Sequence, residues 1–133
     1  MQVKIDTREK FHAITIKEPV LAANMTEELE ESLLPLLQQD IKNVVLILKD
    51  IQIVEYAAAE SLVKIQQAFY DNGNSFVICE LTPAVEKSLE DNSLLEMMNV
   101  TPTESEAWDI VQLEEVEREL LNGPDLWRFS DNR

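Results

Sequence analysis

Between residues 43 and 69 the hydrophobic pattern of this 133-residue chain changes its period. Residues 44–48 (Val-Val-Leu-Ile-Leu) form an unbroken apolar run rich in β-branched side chains, which is typical of a strand covered on both faces. Apolar residues then recur at the spacing of a helix, at Ala58, Leu62, Ile65 and Phe69. We therefore predict a buried strand that leads into a helix through a turn at residues 55–57. In α/β folds, sites tend to lie at such turns.

The rest of the chain alternates between the same two kinds of element. Short apolar or alternating runs predict further strands at residues 3–6, 11–16, 75–80 and 99–101. Helical patterns begin near residues 24, 82 and 103. Strand–helix–strand units favour parallel pairing, and the first two strands form an antiparallel hairpin. We predict a single α/β domain with a mixed sheet of about four to five strands and about four helices packed on it.

The first of these helices has the least regular pattern. Asn24 or Thr26 can cap its N-terminus, because a short polar side chain can accept the unpaired N–H groups of the first turn. Pro35 lies within the apolar pattern of the helix. Proline removes a backbone donor and clashes with the preceding turn, so Pro35 either kinks the helix or ends it. The sequence leaves both outcomes open.

The length and composition of the chain predict one domain. A chain of 133 residues can bury one core, and it contains no linker, repeat or low-complexity block. We assign residues 1–121 to the domain and residues 122–133 to a tail. The tail holds Leu126, Trp127 and Phe129, which we expect to pack either on the chain itself or on a partner. The start of the sequence does not resemble a signal peptide, and a single cysteine favours a cytoplasmic location.

The chain is strongly acidic, with 26 Asp and Glu residues against 11 Lys and Arg residues and a formal net charge of −15. Such a surface repels phosphate backbones and anionic lipids, so we expect no binding to nucleic acid. No apolar run reaches the roughly 20 residues that span a bilayer, so we expect no membrane insertion. The acidity either keeps the protein in solution or attracts a basic protein partner.

The sequence offers no constellation for catalysis, a cofactor or a metal. His12 is the only histidine, and it is more typical of a surface or pairing residue than of a catalyst. Cys79 ends an apolar strand next to Glu80, an environment that does not activate a thiol. One histidine and one cysteine cannot close a zinc site, and no glycine-rich phosphate loop is present. We therefore predict that the protein is not an enzyme and holds neither metal nor cofactor.

The turn at residues 55–58 (Glu-Tyr-Ala-Ala), between the buried strand and its helix, resembles the central signature of STAS domains, the fold of anti-sigma factor antagonists. Many members carry Asp-Ser-Ser-Gly there, and a partner kinase phosphorylates the second serine. In this chain Glu55 stands at the Asp position, Tyr56 at the first Ser, Ala57 at the second Ser and Ala58 at the Gly. The resemblance implies a STAS fold over residues 1–121. It also implies that the usual serine phosphoswitch is missing, because Ala57 has no hydroxyl.

The resemblance further implies a regulatory module that docks on a partner protein through this turn and the helix after it. The predicted partner-binding residues are Glu55, Tyr56, Ala57, Ala58, Ala59 and Glu60. The implied partner is an anti-sigma factor, a kinase or a phosphatase. Two alternatives keep the fold but change the role. One is a structural STAS subunit of an ABC transport machine, and the other is a homodimer assembled through the last helix and the tail.

Overall fold

The computed structural model describes residues 1–122. Residues 123–133, which hold Leu126, Trp127 and Phe129 of the predicted tail, lie outside the described part. In chain order the strands are β1 (Val3–Thr7), β2 (Phe11–Ile16), β3 (Val20–Leu21), β4 (Asn43–Ile47), β5 (Ile53–Val54), β6 (Phe76–Cys79) and β7 (Val100–Thr101). The α-helices are α1 (Thr26–Leu33), α2 (Tyr56–Asp71), α3 (Pro83–Asp91) and α4 (Glu104–Asn122).

Five of these strands form one mixed sheet in the order β1-β2-β4-β6-β7. β1 pairs with β2 in antiparallel fashion, and the other neighbours in the sheet are parallel. β3 and β5 form a separate two-stranded parallel pair. Together with the four α-helices, this arrangement confirms the predicted α/β fold class.

The central strand β4 divides the core into two layers. Its side chains alternate between the sheet faces, so Val44 and Leu46 join one buried cluster while Val45 and Ile47 join the other. The first cluster is covered by α1, α2 and α3, and the second by α4. Burial on both faces explains why the strand reads as a continuous apolar run. It also places α2 and α4 on opposite sides of the sheet.

The two open questions about the first helix have definite answers. The predicted cap at Asn24 or Thr26 is wrong: the cap position is Met25, and no side chain among residues 1–122 caps α1. The chain enters α1 from a 3-10 turn at Ala23–Met25, so Thr26 already lies inside helical backbone. Pro35 ends the helix. α1 stops at Leu33, and Pro35 lies at the start of a second 3-10 turn, where its missing N–H costs little.

Two partly buried polar contacts hold α4 in place. The amide nitrogen of Asn43 donates to the carbonyl of Lys10 at 3.0 Å and to the carboxylate of Glu115 at 2.8 Å. The amide oxygen of Asn43 accepts the backbone N–H of Ser75 at 2.8 Å. Asn43 is only 5% exposed, so each of these bonds replaces water that the site excludes.

The second contact joins α2 to α4 and includes Asn99, the residue before β7. The hydroxyl of Tyr70 donates to the carboxylate of Glu114 at 2.7 Å and accepts the side-chain N–H of Asn99 at 2.6 Å. Burial and the neighbouring Glu114 carboxylate raise the pKa of Tyr70 to about 12. Tyr70 therefore stays neutral and keeps its donor role throughout the physiological pH range.

Candidate functional site

The turn between β5 and α2 presents only part of the predicted binding surface. Four of the six predicted residues are exposed: Glu55, Tyr56, Ala57 and Glu60. The other two, Ala58 and Ala59, are 0% and 1% exposed and pack in the core under α2. Small side chains at these positions let the first turn of α2 approach the sheet closely. The prediction therefore needs correction at Ala58 and Ala59, whose side chains do not reach the surface.

Glu55 holds this turn in place through a distant segment of the chain. It occupies the cap position of α2, but its side chain makes no hydrogen bond to the helix. Instead, Oε1 of Glu55 accepts the backbone N–H of Ala23 at 2.7 Å. The backbone N–H of Glu55 donates to the carbonyl of Leu21 at 2.9 Å. These bonds join the start of α2 to the end of β3 and to the segment that follows it.

The N-terminus of α2 remains open to solvent. Within residues 1–122 no side chain caps it, and its first turn contains no acidic residue. The first N–H groups of a helix carry its positive end, which attracts negative groups. Tyr56, at the first helical position, is 49% exposed, so a large aromatic side chain stands beside these N–H groups.

Ile53 is a further exposed apolar residue, three positions before Tyr56, that the sequence pattern did not identify. It is 57% exposed, whereas Val54 beside it is 7% exposed. Successive side chains of a strand point to opposite faces, so only one of these two neighbours can face the core. This alternation was the only sequence signal that one side chain of the pair is exposed. We call Ile53, Glu55, Tyr56, Ala57 and Glu60 the α2 docking surface, after the partner binding that the sequence predicts for this turn.

Hydroxyl groups near this surface do not replace the missing serine. Ala57 is exposed but has no hydroxyl. Ser61, one turn further along α2, is 5% exposed, and its hydroxyl has no hydrogen-bond partner within the described residues. A kinase could not reach Ser61 without opening the helix packing.

The remaining candidates from the sequence have structural roles. His12 is 3% exposed, with Nδ1 2.9 Å from Oγ1 of Thr7 and Nε2 2.8 Å from the carbonyl of Ile41. It is therefore a buried pairing residue. Cys79 is fully buried, and burial raises the pKa of its thiol to about 12, so the reactive thiolate is scarce at neutral pH.

The part of the chain that the structure describes offers neither a metal site nor a membrane-spanning helix. Residues 1–122 contain no group of three His, Cys, Asp or Glu side chains that could hold a metal ion. None of the helices described there is both long and apolar enough to span a membrane.

The sequence matches the family model of the STAS domain over residues 2–107. The chain belongs to the STAS-domain family. This match confirms the resemblance carried by the turn at residues 55–58 and by the order of the elements. No curated protein matches the chain significantly.

Solved structures of STAS proteins share the fold at low sequence identity. An anti-sigma factor antagonist from Thermotoga maritima has 16% identity and a TM-score of 0.70, over 83% of this chain and 94% of that one. A variant of RsbS from Moorella thermoacetica has 21% identity and a TM-score of 0.69, over 89% of this chain and 99% of that one. The anti-sigma factor antagonist SpoIIAA in its unphosphorylated form has 13% identity and a TM-score of 0.65, over 84% and 96% of the two chains.

Proposed function

We propose that this STAS protein is a non-enzymatic regulatory module that binds a partner protein through the α2 docking surface. The observation that carries the proposal is the exposure of two large apolar side chains, Ile53 at 57% and Tyr56 at 49%, beside an uncapped helix N-terminus. Exposed apolar groups next to oriented N–H donors suit a protein interface, where an apolar centre is surrounded by polar contacts. The bond from Ala23 to Glu55 keeps this surface ordered before a partner binds.

The partner that best fits the family is an anti-sigma factor, a kinase or a phosphatase. Two of the similar structures are described as anti-sigma factor antagonists, which supports this class of partner. The net charge of −15 favours a partner whose surface is basic, because complementary charge speeds encounter. We propose that the protein acts in the cytoplasm, where such partners operate.

Binding through this surface would not depend on the usual phosphoswitch. In members with serine at the position of Ala57, a phosphate adds a charge of about −1.5 to −2 next to the helix N-terminus. Ala57 excludes that modification, and Ser61 is buried. We propose that the surface is constitutively competent to bind and that regulation resides in the partner or in its abundance.

The test is an affinity pull-down from the source cell with three baits: the wild type, Ala57→Asp and Ala84→Asp. Ala57 and Ala84 are both exposed alanines at the second position of a helix, in α2 and α3 respectively. Aspartate is favourable near a helix N-terminus, so both variants should fold. We expect a regulatory partner to be captured by the wild type and by Ala84→Asp but lost with Ala57→Asp.

Two results would refute this function. A partner retained equally by all three baits would show that the α2 docking surface is not the interface. Capture of ATPase and permease subunits would instead support the structural subunit of an ABC transport machine. The intact mass of the bait adds a second readout, since an added phosphate would contradict a module that works without phosphorylation.

A further inference from the structure

The outer face of α4 carries an exposed apolar stripe. Leu113, Val116 and Leu120 are 55%, 51% and 58% exposed, and their spacing of three and four residues places them on one side of the helix. We call these three residues the α4 stripe. Trp108, which is 40% exposed, lies two turns before Val116 in the same i, i+4 row. Contiguous apolar surface of this kind commonly marks an interaction site.

The stripe does not belong to the core of the domain. α4 packs on the sheet through Ala107 and Val111, both fully buried, with Ile110 at their edge. At about 100° per residue, the stripe points away from this inner face. α4 thus has two apolar faces, and within residues 1–122 only the inner one is covered.

Exposed carboxylates border the stripe. Glu117 and Glu119 lie on its two sides, and Asp109 and Glu106 lie toward the start of the helix. All four residues are exposed, and none of them has an ion-pair partner within the described residues. The outer face of α4 is therefore an apolar row with carboxylates on both sides and at its N-terminal end.

The charged residues on the inner face of α4 already have contacts within the domain. Glu104 lies 3.6 Å from the guanidinium of Arg8, and Glu115 lies 3.3 Å from the ammonium group of Lys10. Arg118, the single basic residue of the 19-residue helix, donates to the hydroxyl of Ser75 at 3.2 Å.

We propose that the α4 stripe docks a basic amphipathic helix from a partner protein. The apolar side of that helix would pack on Leu113, Val116 and Leu120, and its Lys and Arg residues would meet Glu117 and Glu119. The stripe runs from residue 113 to residue 120, about 10 Å along the helix, which matches two turns of a partner helix. Amphipathic helices commonly dock in this way through side chains three and four residues apart.

Charge favours a basic partner helix over the two occupants that the chain itself could supply, which are a second copy of α4 and residues 123–133. A second copy of α4 would set the exposed carboxylates of Glu106, Asp109, Glu117 and Glu119 against the same four groups, and like charges oppose such pairing. The sequence of residues 123–133 has two Asp and two Arg, so it is not basic overall. The inference goes beyond the proposed function, because α4 and α2 lie on opposite sides of the sheet and both surfaces can be occupied together.

The test uses the full chain and a synthetic peptide of about 18 residues in which Leu and Lys are spaced to form an amphipathic helix. A second peptide of the same composition, with Leu and Lys reordered so that no apolar face forms, controls for charge alone. Amide resonances of the 15N-labelled protein report where each peptide binds. We expect the amphipathic peptide to shift the resonances of Leu113, Val116, Leu120 and their neighbours, and the reordered peptide to leave them in place.

Paired substitutions then test the side chains. Val116→Ser with Leu120→Ser should weaken binding of the amphipathic peptide roughly tenfold or more. Ile5→Ser with Met97→Ser removes two other apolar side chains, 49% and 54% exposed, that lie outside α4, and should change the affinity by less than roughly twofold. All four positions are exposed, so these changes should leave the fold intact.

Several results would overturn the inference. Equal binding of the reordered peptide, or shifts spread over other acidic surfaces, would show attraction by charge alone. A dimer that Val116→Ser with Leu120→Ser dissociates would make a second copy the occupant. Resonances of residues 125–129 that shift in the free double variant would assign the stripe to the tail. Failure of the peptide to bind the α4 stripe would not change the result expected for Ala57→Asp. Docking on the α4 stripe and binding at the α2 docking surface can therefore be refuted separately.

Discussion

The carboxylate of Glu55 accepts the backbone N–H of Ala23 at 2.7 Å, across 32 positions of the chain. A residue at the cap position of a helix ordinarily accepts N–H groups of that same helix. Here the side chain turns away from α2 and binds the turn before α1. The N–H groups at the start of α2 are left without a side-chain cap, while the turn that carries Tyr56 is held from outside. The bond to Ala23 thus keeps the α2 docking surface ordered, and the first N–H groups of α2 stay free of a side-chain cap from the described residues.

Replacing Glu55 should loosen the surface without unfolding the domain. We expect Glu55→Ala to lower the free energy of unfolding by about 1 kcal/mol, because one charge-assisted hydrogen bond at an exposed site is lost. Glu55→Gln keeps an acceptor oxygen and should lower the free energy of unfolding by less. Urea unfolding measures the change in stability, and hydrogen exchange at the Ala23 amide measures the local contact. Exchange at Ala23 as slow in Glu55→Ala as in the wild type would show that the bond does not hold this turn.

The hydroxyl of Ser61 should be dispensable for folding. It is buried without a hydrogen-bond partner in the described residues, so Ser61→Ala removes an uncompensated polar group and leaves the small side chain in place. We expect a free energy of unfolding that is unchanged or higher by up to about 1 kcal/mol. Thr101→Val is the matched contrast, because that buried hydroxyl donates to the carbonyl of Thr103 at 3.0 Å. A larger loss of stability for Ser61→Ala than for Thr101→Val would contradict the predicted order.

The contact between Asn43 and Glu115 should be sensitive to charge. Asn43→Asp keeps the acceptor for Ser75 but removes the amide donors and places two carboxylates at a distance of about 3 Å. We expect a loss of about 2–4 kcal/mol in the free energy of unfolding. Adding Glu115→Gln should restore part of that loss, because it removes the repulsion. A double-mutant cycle by urea unfolding gives the coupling energy, and strictly additive losses would mean that the two side chains do not interact.

Alkaline pH should weaken the fold through Tyr70. Its pKa is raised from 10.0 to about 12 by burial and by the carboxylate of Glu114, so the folded state favours the neutral phenol. The stabilisation is complete below pH 10, where the phenol is also neutral in the unfolded chain, and is lost as the pH rises toward about 12. Tyr70→Phe should therefore reduce the dependence of the unfolding free energy on pH above 10. Identical slopes for the variant and the wild type would exclude Tyr70 as a source of this dependence.

The spacing of apolar residues predicted the helices and strands of this fold, because each buried element places apolar side chains at the period of its own backbone. The helical spacing of Ala58, Leu62, Ile65 and Phe69 identified the buried face of α2, and all four side chains are 0–2% exposed. The apolar run of β4 likewise predicted a strand covered on both faces. A strand of two residues is too short to show an alternating pattern. The sequence therefore did not indicate that Ile53 faces outward and Val54 faces inward.

Contacts between distant segments could not be predicted from the sequence. The partner of Glu55 is set by where the chain crosses near Ala23, which no local pattern encodes. For α4 the sequence predicted a helix that begins near residue 103, without showing which of its apolar residues are buried. Only the packed structure shows that Ala107 and Val111 meet the sheet while Leu113 does not. The helical spacing had already indicated that Ala58 is buried, whereas the burial of Ala59 beside it depends on how α2 packs against the sheet.

The decisive measurement is the affinity of a purified regulatory partner, recovered with the wild-type protein, for the Ala57→Asp and Ala84→Asp variants. If the α2 docking surface is the interface, calorimetry should show binding to Ala57→Asp weakened roughly tenfold or more and binding to Ala84→Asp changed by less than roughly twofold. Equal affinities for both variants and the wild type would place the interface elsewhere and contradict the proposed function.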